Sequence, residues 1–83
     1  MSDAESQSVA FFIKRADYAA GLAATHFKGM EYEKAMNLYK EAYTFYKKAE
    51  VTLPNDAGLK QKIDQAKIKY QECKKKCEEK KAP

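Results

Sequence analysis

The sequence predicts an all-α protein, an up-down-up antiparallel three-helix bundle, from three observations. Apolar residues recur at three- and four-residue steps over most of the chain, which is the periodicity of amphipathic helices. Two short segments interrupt that pattern, one at Gly29 and one at Pro54. The 83 residues are 45% hydrophobic and include only three glycines and two prolines, a composition that favours packed helices over disorder. Short links between three such helices make neighbours antiparallel.

The second predicted helix, residues 32–52, is the central one. Pro54 disfavours helical geometry in the residue before it, which places the helix end near Thr52. The apolar side of this helix alternates alanines, which permit close approach of a neighbouring helix, with large side chains that fill the space between axes. A stripe this wide can contact two partner helices. It consists of Ala35, Leu38, Tyr39, Ala42, Phe45, Tyr46, Ala49 and Leu53.

The two flanking helices are predicted over residues 9–28 and 57–79. Residues 1–8 are polar and acidic, which suggests a flexible tail, and residues 80–83 are interpreted as the start of a linker or the end of an excised piece. We expect Gly29 to be a left-handed C-cap of the first helix, and Asn55 or Asp56 to be the N-cap of the third. The core stripe of the first helix is Val9, Phe12, Ile13, Ala16, Ala19, Ala20, Ala23 and Phe27. That of the third is Leu59, Ile63, Ala66, Tyr70, Cys73 and Cys77.

A second apolar row on the first helix consists of Phe11, Tyr18 and Leu22. It lies about 200° around the helix from the core stripe, at 100° per residue. One core cannot bury both rows, so we expect this one to face outward as a second contact face. The contact would be a partner helix, a second copy of the chain or a missing part of the parent protein. The alternative is that the first helix is rotated and this row is buried.

Charge is concentrated in the last third of the chain. From Leu59 onward there are nine lysines and only four acidic residues. This surplus suggests an acidic partner, namely a protein tail, a lipid headgroup or nucleic acid, although a solvated lysine-rich helix face is equally compatible with it. The lysines and the aromatic residues are not interleaved, so nucleic acid is not expected. Without an apolar run of about 20 residues or a signal-peptide pattern, we expect a cytoplasmic, non-transmembrane protein.

Catalytic and metal-binding patterns are missing from the sequence. It has no phosphate-binding loop and no nucleophile elbow, so we expect neither an enzyme nor a cofactor. Cys73 and Cys77 are four residues apart on the third helix, but a structural zinc site needs four ligands, and the only histidine is His26. Both cysteines also fall on the predicted core stripe. They are therefore interpreted as packing residues, not ligands.

Residues 32–42 resemble two helical families. In the tetratricopeptide repeat the matching positions are Tyr32, Ala35, Tyr39 and Ala42, but Pro54 comes too late and the pattern has no second copy. The MIT (microtubule interacting and transport) domain is similar from Ile13 to about Lys76. That resemblance rests on Ala16, Ala20, Ala23, the pattern Tyr32-Glu33-x-Ala35-x-x-Leu38-Tyr39-x-x-Ala42, then Phe45, Tyr46, Ala49, Ile63 and Tyr70.

The MIT resemblance implies a protein-interaction module without catalytic activity. MIT domains bind C-terminal tail segments of ESCRT-III proteins, helical ones between helices 2 and 3 and extended ones between helices 1 and 3. Many are N-terminal adaptors of AAA ATPases or other trafficking proteins, so recruitment to endosomal membranes or microtubules is expected. The peptide-binding residues expected here are Met36, Tyr43, Lys60, Lys67, Ile68, Gln71, Lys74 and Lys75.

Two positions depart from the MIT pattern. Gln71 stands where the family has a groove-lining leucine, and Lys75 where it often has an acidic residue. With further lysines along both flanks of the third helix, an acidic ligand fits better, such as an acidic ESCRT-III tail segment, a tubulin tail or anionic lipid. The alternatives are a basic helical module acting on tubulin tails or membranes, and a tetratricopeptide-like or self-associating bundle.

Overall fold

The computed structural model describes residues 3–81, which form three α-helices: α1 (Asp3–Lys28), α2 (Tyr32–Glu50) and α3 (Ala57–Lys81). The predicted all-α three-helix bundle is confirmed. The central helix α2 packs against both α1 and α3, whereas α1 and α3 approach each other much less closely. The bundle is consequently long and flat, with extents of 53 × 19 × 14 Å.

The core consists of two buried clusters, one in each half of the bundle. The first cluster joins residues 9–19 of α1 to the C-terminal half of α2 and the first half of α3, as antiparallel packing requires. All residues that are buried within the described range belong to the predicted stripes. The first cluster contains Val9, Ala16, Ala19, Ala42, Tyr46, Ala49, Leu59, Ile63 and Ala66. The second contains Ala23, Ala35, Tyr39 and Cys73.

The ends of the helices differ from the sequence prediction. α1 begins at Asp3, so the prediction of a flexible tail is wrong for residues 3–8; Asp3 and Glu5 in the first turn favour the helix through its macrodipole. α2 ends at Glu50 instead of near Thr52. α3 continues to Lys81, so the predicted boundary at 79 is two residues short. The rest of the predicted tail and linker, residues 1–2 and 82–83, lies outside the described residues.

The link between α1 and α2 is a Schellman turn with Met30, not Gly29, in the left-handed conformation. Met30 has a φ of 61°, while none of the described glycines has a positive φ. The Glu31 N–H donates to the His26 carbonyl at 2.9 Å, and the Met30 N–H donates to the Phe27 carbonyl at 3.0 Å. These two bonds satisfy carbonyls in the last turn of α1. The prediction is one residue off because the Gly29 N–H still makes a helical bond to Thr25.

Replacing Met30 with glycine is expected to raise the free energy of unfolding by about 1 kcal/mol. A left-handed non-glycine residue is strained by about 1–2 kcal/mol, and the extra freedom of glycine in the unfolded chain offsets part of the gain. Gly29→Ala is the control and should not destabilise, since its Cβ would meet nothing closer than 3.6 Å. Urea denaturation measures both variants. Stability lost in Gly29→Ala and unchanged in Met30→Gly would place the left-handed residue at the glycine.

The link between α2 and α3 ends in a side-chain cap. Of the two N-cap residues predicted, the structure selects Asp56, whose Oδ1 accepts the Leu59 N–H at 2.8 Å. This bond satisfies one of the free amides in the first turn of α3. Leu53 packs against the first core cluster just before the turn. The cap and this contact together fix where α3 starts relative to α2.

Candidate functional site

The packing of α1 and α3 on opposite sides of α2 leaves two long grooves on the bundle. A cavity of about 330 Å³ lies between α2 and α3. Another, of about 370 Å³, lies between α1 and α3 over the aromatic side chains of α2. A third, of about 640 Å³, lies at the end of the bundle, between the α1–α2 link and the last turns of α3. These cavities are the candidate binding sites.

The α2–α3 groove has an aromatic floor with cationic walls. Tyr43 and Tyr70 are half-buried and pack against the first and second core clusters respectively. Their spacing along facing helices creates an apolar depression large enough for a side chain of a ligand. The cavity is lined by Lys40, Tyr43 and Thr44 from α2, and by Lys67, Tyr70 and Gln71 from α3.

The structure brings three of the predicted peptide-binding residues together in this groove, namely Tyr43, Lys67 and Gln71. Met36 is half-buried against the second core cluster and does not line the cavity. The remaining predicted residues are exposed on α3. Lys60 and Lys74 lie seven residues on either side of Lys67, hence on the same side of the helix. Ile68, 57% exposed, and Lys75 point away from α2, as their position opposite the buried stripe requires.

Three residues lining the α2–α3 cavity were not among the predicted site residues: Lys40, Thr44 and Tyr70. Sequence periodicity assigns Lys40 to the solvent side of α2 and Tyr70 to the core. The signal that could have identified Lys40 and Thr44 is helical spacing, since residues three and four apart share a helix face. Lys40 is four residues after Met36 and three before Tyr43, and Thr44 is four residues after Lys40. Tyr70 lines the cavity because of the distance between α2 and α3. The spacing of residues along the sequence does not predict that distance.

The α1–α3 groove is crossed by a polar bridge that connects all three helices. Asp17 on α1 accepts hydrogen bonds from the Tyr46 hydroxyl on α2 and from Lys62 Nζ on α3, the latter at 3.1 and 3.2 Å. The Lys62 ammonium also lies 5.9 Å from the centre of the Tyr46 ring. Lys69, further along the groove, pairs with Glu72 at 3.5 Å. Both lysines that line this cavity are thus already paired with acidic residues.

Burial raises the pKa of three groups in the core, and the bridge adds to the shift of one of them. Burial raises the pKa of Tyr46, and the hydrogen bond to Asp17 raises that pKa further. Burial also raises the pKa of Tyr39 and of the Cys73 thiol. All three groups are therefore held in their neutral forms near pH 7. Tyr46 in particular remains a hydrogen-bond donor, which its bond to the Asp17 carboxylate requires.

The outward orientation predicted for the second row on α1 is confirmed for two of its three residues. Phe11 is 60% exposed and Tyr18 is 62% exposed, whereas Leu22 is half-buried. The Phe11 ring makes an edge contact with Phe12, 5.9 Å between ring centres, so it rests on the edge of the core. Since the main stripe of α1 is buried, the alternative of a rotated first helix is wrong. A contact role for the row stays a prediction.

Clusters of possible metal ligands are not found among the described residues. No group of three or more histidine, cysteine, aspartate or glutamate side chains within residues 3–81 could hold a metal ion. Cys73 is buried, Cys77 is half-buried, and both are free thiols. His26 Nδ1 lies 2.9 Å from a Glu31 carboxylate oxygen, beside the Schellman turn. Among the described helices, none has both the length and the apolar character that crossing a bilayer requires.

Comparisons with family models, with curated proteins and with solved structures give no match to this chain.

Proposed function

We propose that this chain is a non-catalytic docking module that binds a short helical peptide in the α2–α3 groove. The observation that carries the proposal is an apolar depression of about 330 Å³ between the antiparallel helices α2 and α3, with Tyr43 and Tyr70 as its floor. Amphipathic peptide helices bind grooves of this kind by inserting apolar side chains at three- and four-residue intervals. The bundle supplies the groove already formed, so little ordering of the domain opposes binding.

The α1–α3 groove is the weaker candidate. A ligand in this groove has two options. It either displaces Lys62 from Asp17, or it leaves this ion pair intact and cannot occupy the space beneath it. In the α2–α3 groove, no ion pair between described residues crosses from one helix to the other. Binding there therefore requires no ion pair between α2 and α3 to break.

The resemblance to MIT domains suggests the source of the peptide. It points to C-terminal tails of ESCRT-III-type proteins, with this chain as the adaptor of a AAA ATPase or another protein of endosomal sorting and transport in the cytoplasm. Most of the residues on which the resemblance rests are core residues here, among them Ala16, Ala23 and Ala42. They support the packing of the bundle, and the identity of the tail has to come from binding experiments.

Replacing Tyr43 with alanine is expected to weaken binding of an ESCRT-III tail peptide roughly 30-fold, the effect of a typical aromatic hot spot of about 2 kcal/mol. Fluorescence anisotropy with a labelled peptide measures the affinity. Tyr18→Ala is the matched control, since it removes the same side chain from an exposed site on α1 and should leave the affinity unchanged. Urea denaturation verifies that both variants are folded. Equal losses in the two variants would refute a site at Tyr43.

A second candidate, a basic module that binds tubulin tails or anionic lipid through charge, is favoured by the nine lysines of α3. Binding of that kind depends steeply on salt, because exposed charges are screened within about 8 Å at physiological ionic strength. It would also be independent of Tyr43. Measuring the Tyr43→Ala variant at low and at physiological salt therefore separates the two candidates.

A further inference from the structure

We infer that the α2–α3 groove selects an acidic helical segment, with carboxylates on both sides of an apolar side chain. This inference rests on the peptide-docking function proposed above and specifies its ligand. It is carried by two lysines, Lys40 on α2 and Lys67 on α3, which line the same cavity as Tyr43 and Tyr70 from the two helices that form it.

The charges that line this cavity have a single sign. Lys40 and Lys67 are its only charged lining residues in the described part of the chain, and the other four are two tyrosines, a threonine and a glutamine. Neither lysine is paired with a described carboxylate within salt-bridge distance. Two cations on opposite walls repel each other, and an anion entering between them relieves the repulsion.

The lysines that line the other cavities have acidic partners or acidic neighbours. In the α1–α3 groove, Lys62 is paired with Asp17 at 3.1 Å and Lys69 with Glu72 at 3.5 Å. The cavity at the end of the bundle is lined by both signs of charge, since Glu31 and Glu33 accompany two lysines. A fourth cavity, of about 380 Å³, is lined by Lys76 and Lys80 together with Glu79. Of these four cavities, the α2–α3 groove is therefore the one whose lysines have neither a salt-bridge partner nor an acidic residue beside them in the lining.

The cationic wall of α3 extends beyond the cavity. Lys60 and Lys74 lie two helical turns, or about 10 Å, on either side of Lys67 and are exposed. Asp64 and Glu78 are on the same helix, but neither lines the cavity. A ligand helix lying along this wall places acidic residues seven apart opposite the lysines. Its apolar side chain then inserts between Tyr43 and Tyr70.

A membrane would use a different part of α3. Lys40 and Lys67 line a concave surface, whereas a flat layer of headgroups contacts the convex side, where Ile68 and Lys75 are exposed. Lipid binding should therefore depend on Lys75 and not on Lys40. This difference allows one pair of variants to distinguish a peptide from a lipid surface.

The experiment compares two double variants with the same change in net charge. Lys40→Glu/Lys67→Glu reverses the charge of the groove, and Lys14→Glu/Lys28→Glu reverses two exposed lysines of α1 as the control. The single variant Lys75→Glu tests the lipid surface. The probes are a labelled peptide with one leucine flanked by glutamates at seven-residue spacing, and the same peptide with lysines for glutamates. The acidic probe should bind the wild type. Its affinity should fall at least about tenfold in the groove variant and less than about twofold in the other, while the groove variant gains affinity for the basic probe.

Other outcomes overturn the inference in separable ways. Preference of the wild type for the basic probe, still dependent on Tyr43, would refute the acidic ligand and leave peptide docking intact. Failure of both probes to bind in a Tyr43-dependent manner would refute peptide docking itself. Equal losses in the two double variants would mean that the acidic probe responds to overall charge and not to the groove. Phosphatidylserine vesicles that displace the acidic probe from the wild type but not from Lys75→Glu would replace the groove with a membrane-binding surface.

Discussion

Replacing Tyr46 with alanine is expected to lower the free energy of unfolding by about 3–5 kcal/mol, which is most of the stability of a domain this small. Tyr46 is only 4% exposed and lies in the first core cluster, so removing its ring leaves a cavity among residues of all three helices. Its hydroxyl also donates to Asp17, the residue that joins α1 to α3. Urea denaturation followed by circular dichroism measures the loss.

The variant Tyr46→Phe separates the hydroxyl from the ring. It keeps the packing but loses the bond to a charged acceptor, for which we expect about 1–2 kcal/mol. It should also change the response to alkaline pH. Burial first, and Asp17 second, raise the pKa of Tyr46 above that of the unfolded chain, so its contribution is complete below about pH 10 and is lost as the pH rises through the folded pKa.

Wild type should therefore lose more stability than Tyr46→Phe between about pH 9 and about pH 11. Tyr39 and Cys73, whose pKa values burial also raises, contribute a further loss that both proteins share. Parallel denaturation curves at several pH values isolate the difference. Identical pH dependence in the two proteins would mean that the Tyr46 hydroxyl is neither buried nor held in the bridge.

Replacing Ala42 with leucine is expected to destabilise the bundle by about 1–3 kcal/mol, because the added carbons have no space. Ala42 is 0% exposed and belongs to the same buried cluster as Ala16 and Ala19, where small side chains let α1 approach α2. Ala10→Leu is the matched control, because it makes the same change on the exposed side of α1. It should leave the thermal midpoint almost unchanged.

Loss of stability in both leucine variants would indicate a general effect of leucine on the helices. An unchanged midpoint in Ala42→Leu would contradict the close approach of α1 and α2. Leucine has a helix propensity close to that of alanine, so propensity alone predicts no difference between the two positions.

Apolar periodicity predicted the fold class and the buried residues, because burial of one side of each helix is what the three-to-four spacing encodes. Helix ends were predicted less well. Residues 3–8 are helical but exposed, so no apolar pattern marks them. Met30 adopts the left-handed conformation that glycine usually adopts, since the last hydrogen bonds of α1 extend one residue further than the position of Gly29 suggests.

Only part of the candidate site was predicted, because residue spacing describes one helix at a time. Periodicity places Tyr43 and Lys67 beside the core stripes, and both line the α2–α3 cavity. The position of Lys40 on its wall depends on the distance and angle between two helices. The bond between Asp17 and Lys62 joins residues 45 positions apart in the chain, and no local spacing rule predicts such a pair.

Peptide docking in the α2–α3 groove is tested most directly by following the amide resonances of the chain while an ESCRT-III tail peptide is added. Saturable shifts at residues 40–44 on α2 and 67–71 on α3, with those around Phe11 and Tyr18 unchanged, are the predicted result. Shifts centred on Phe11 and Tyr18, or shifts spread along the exposed lysines of α3 without saturation, would contradict it.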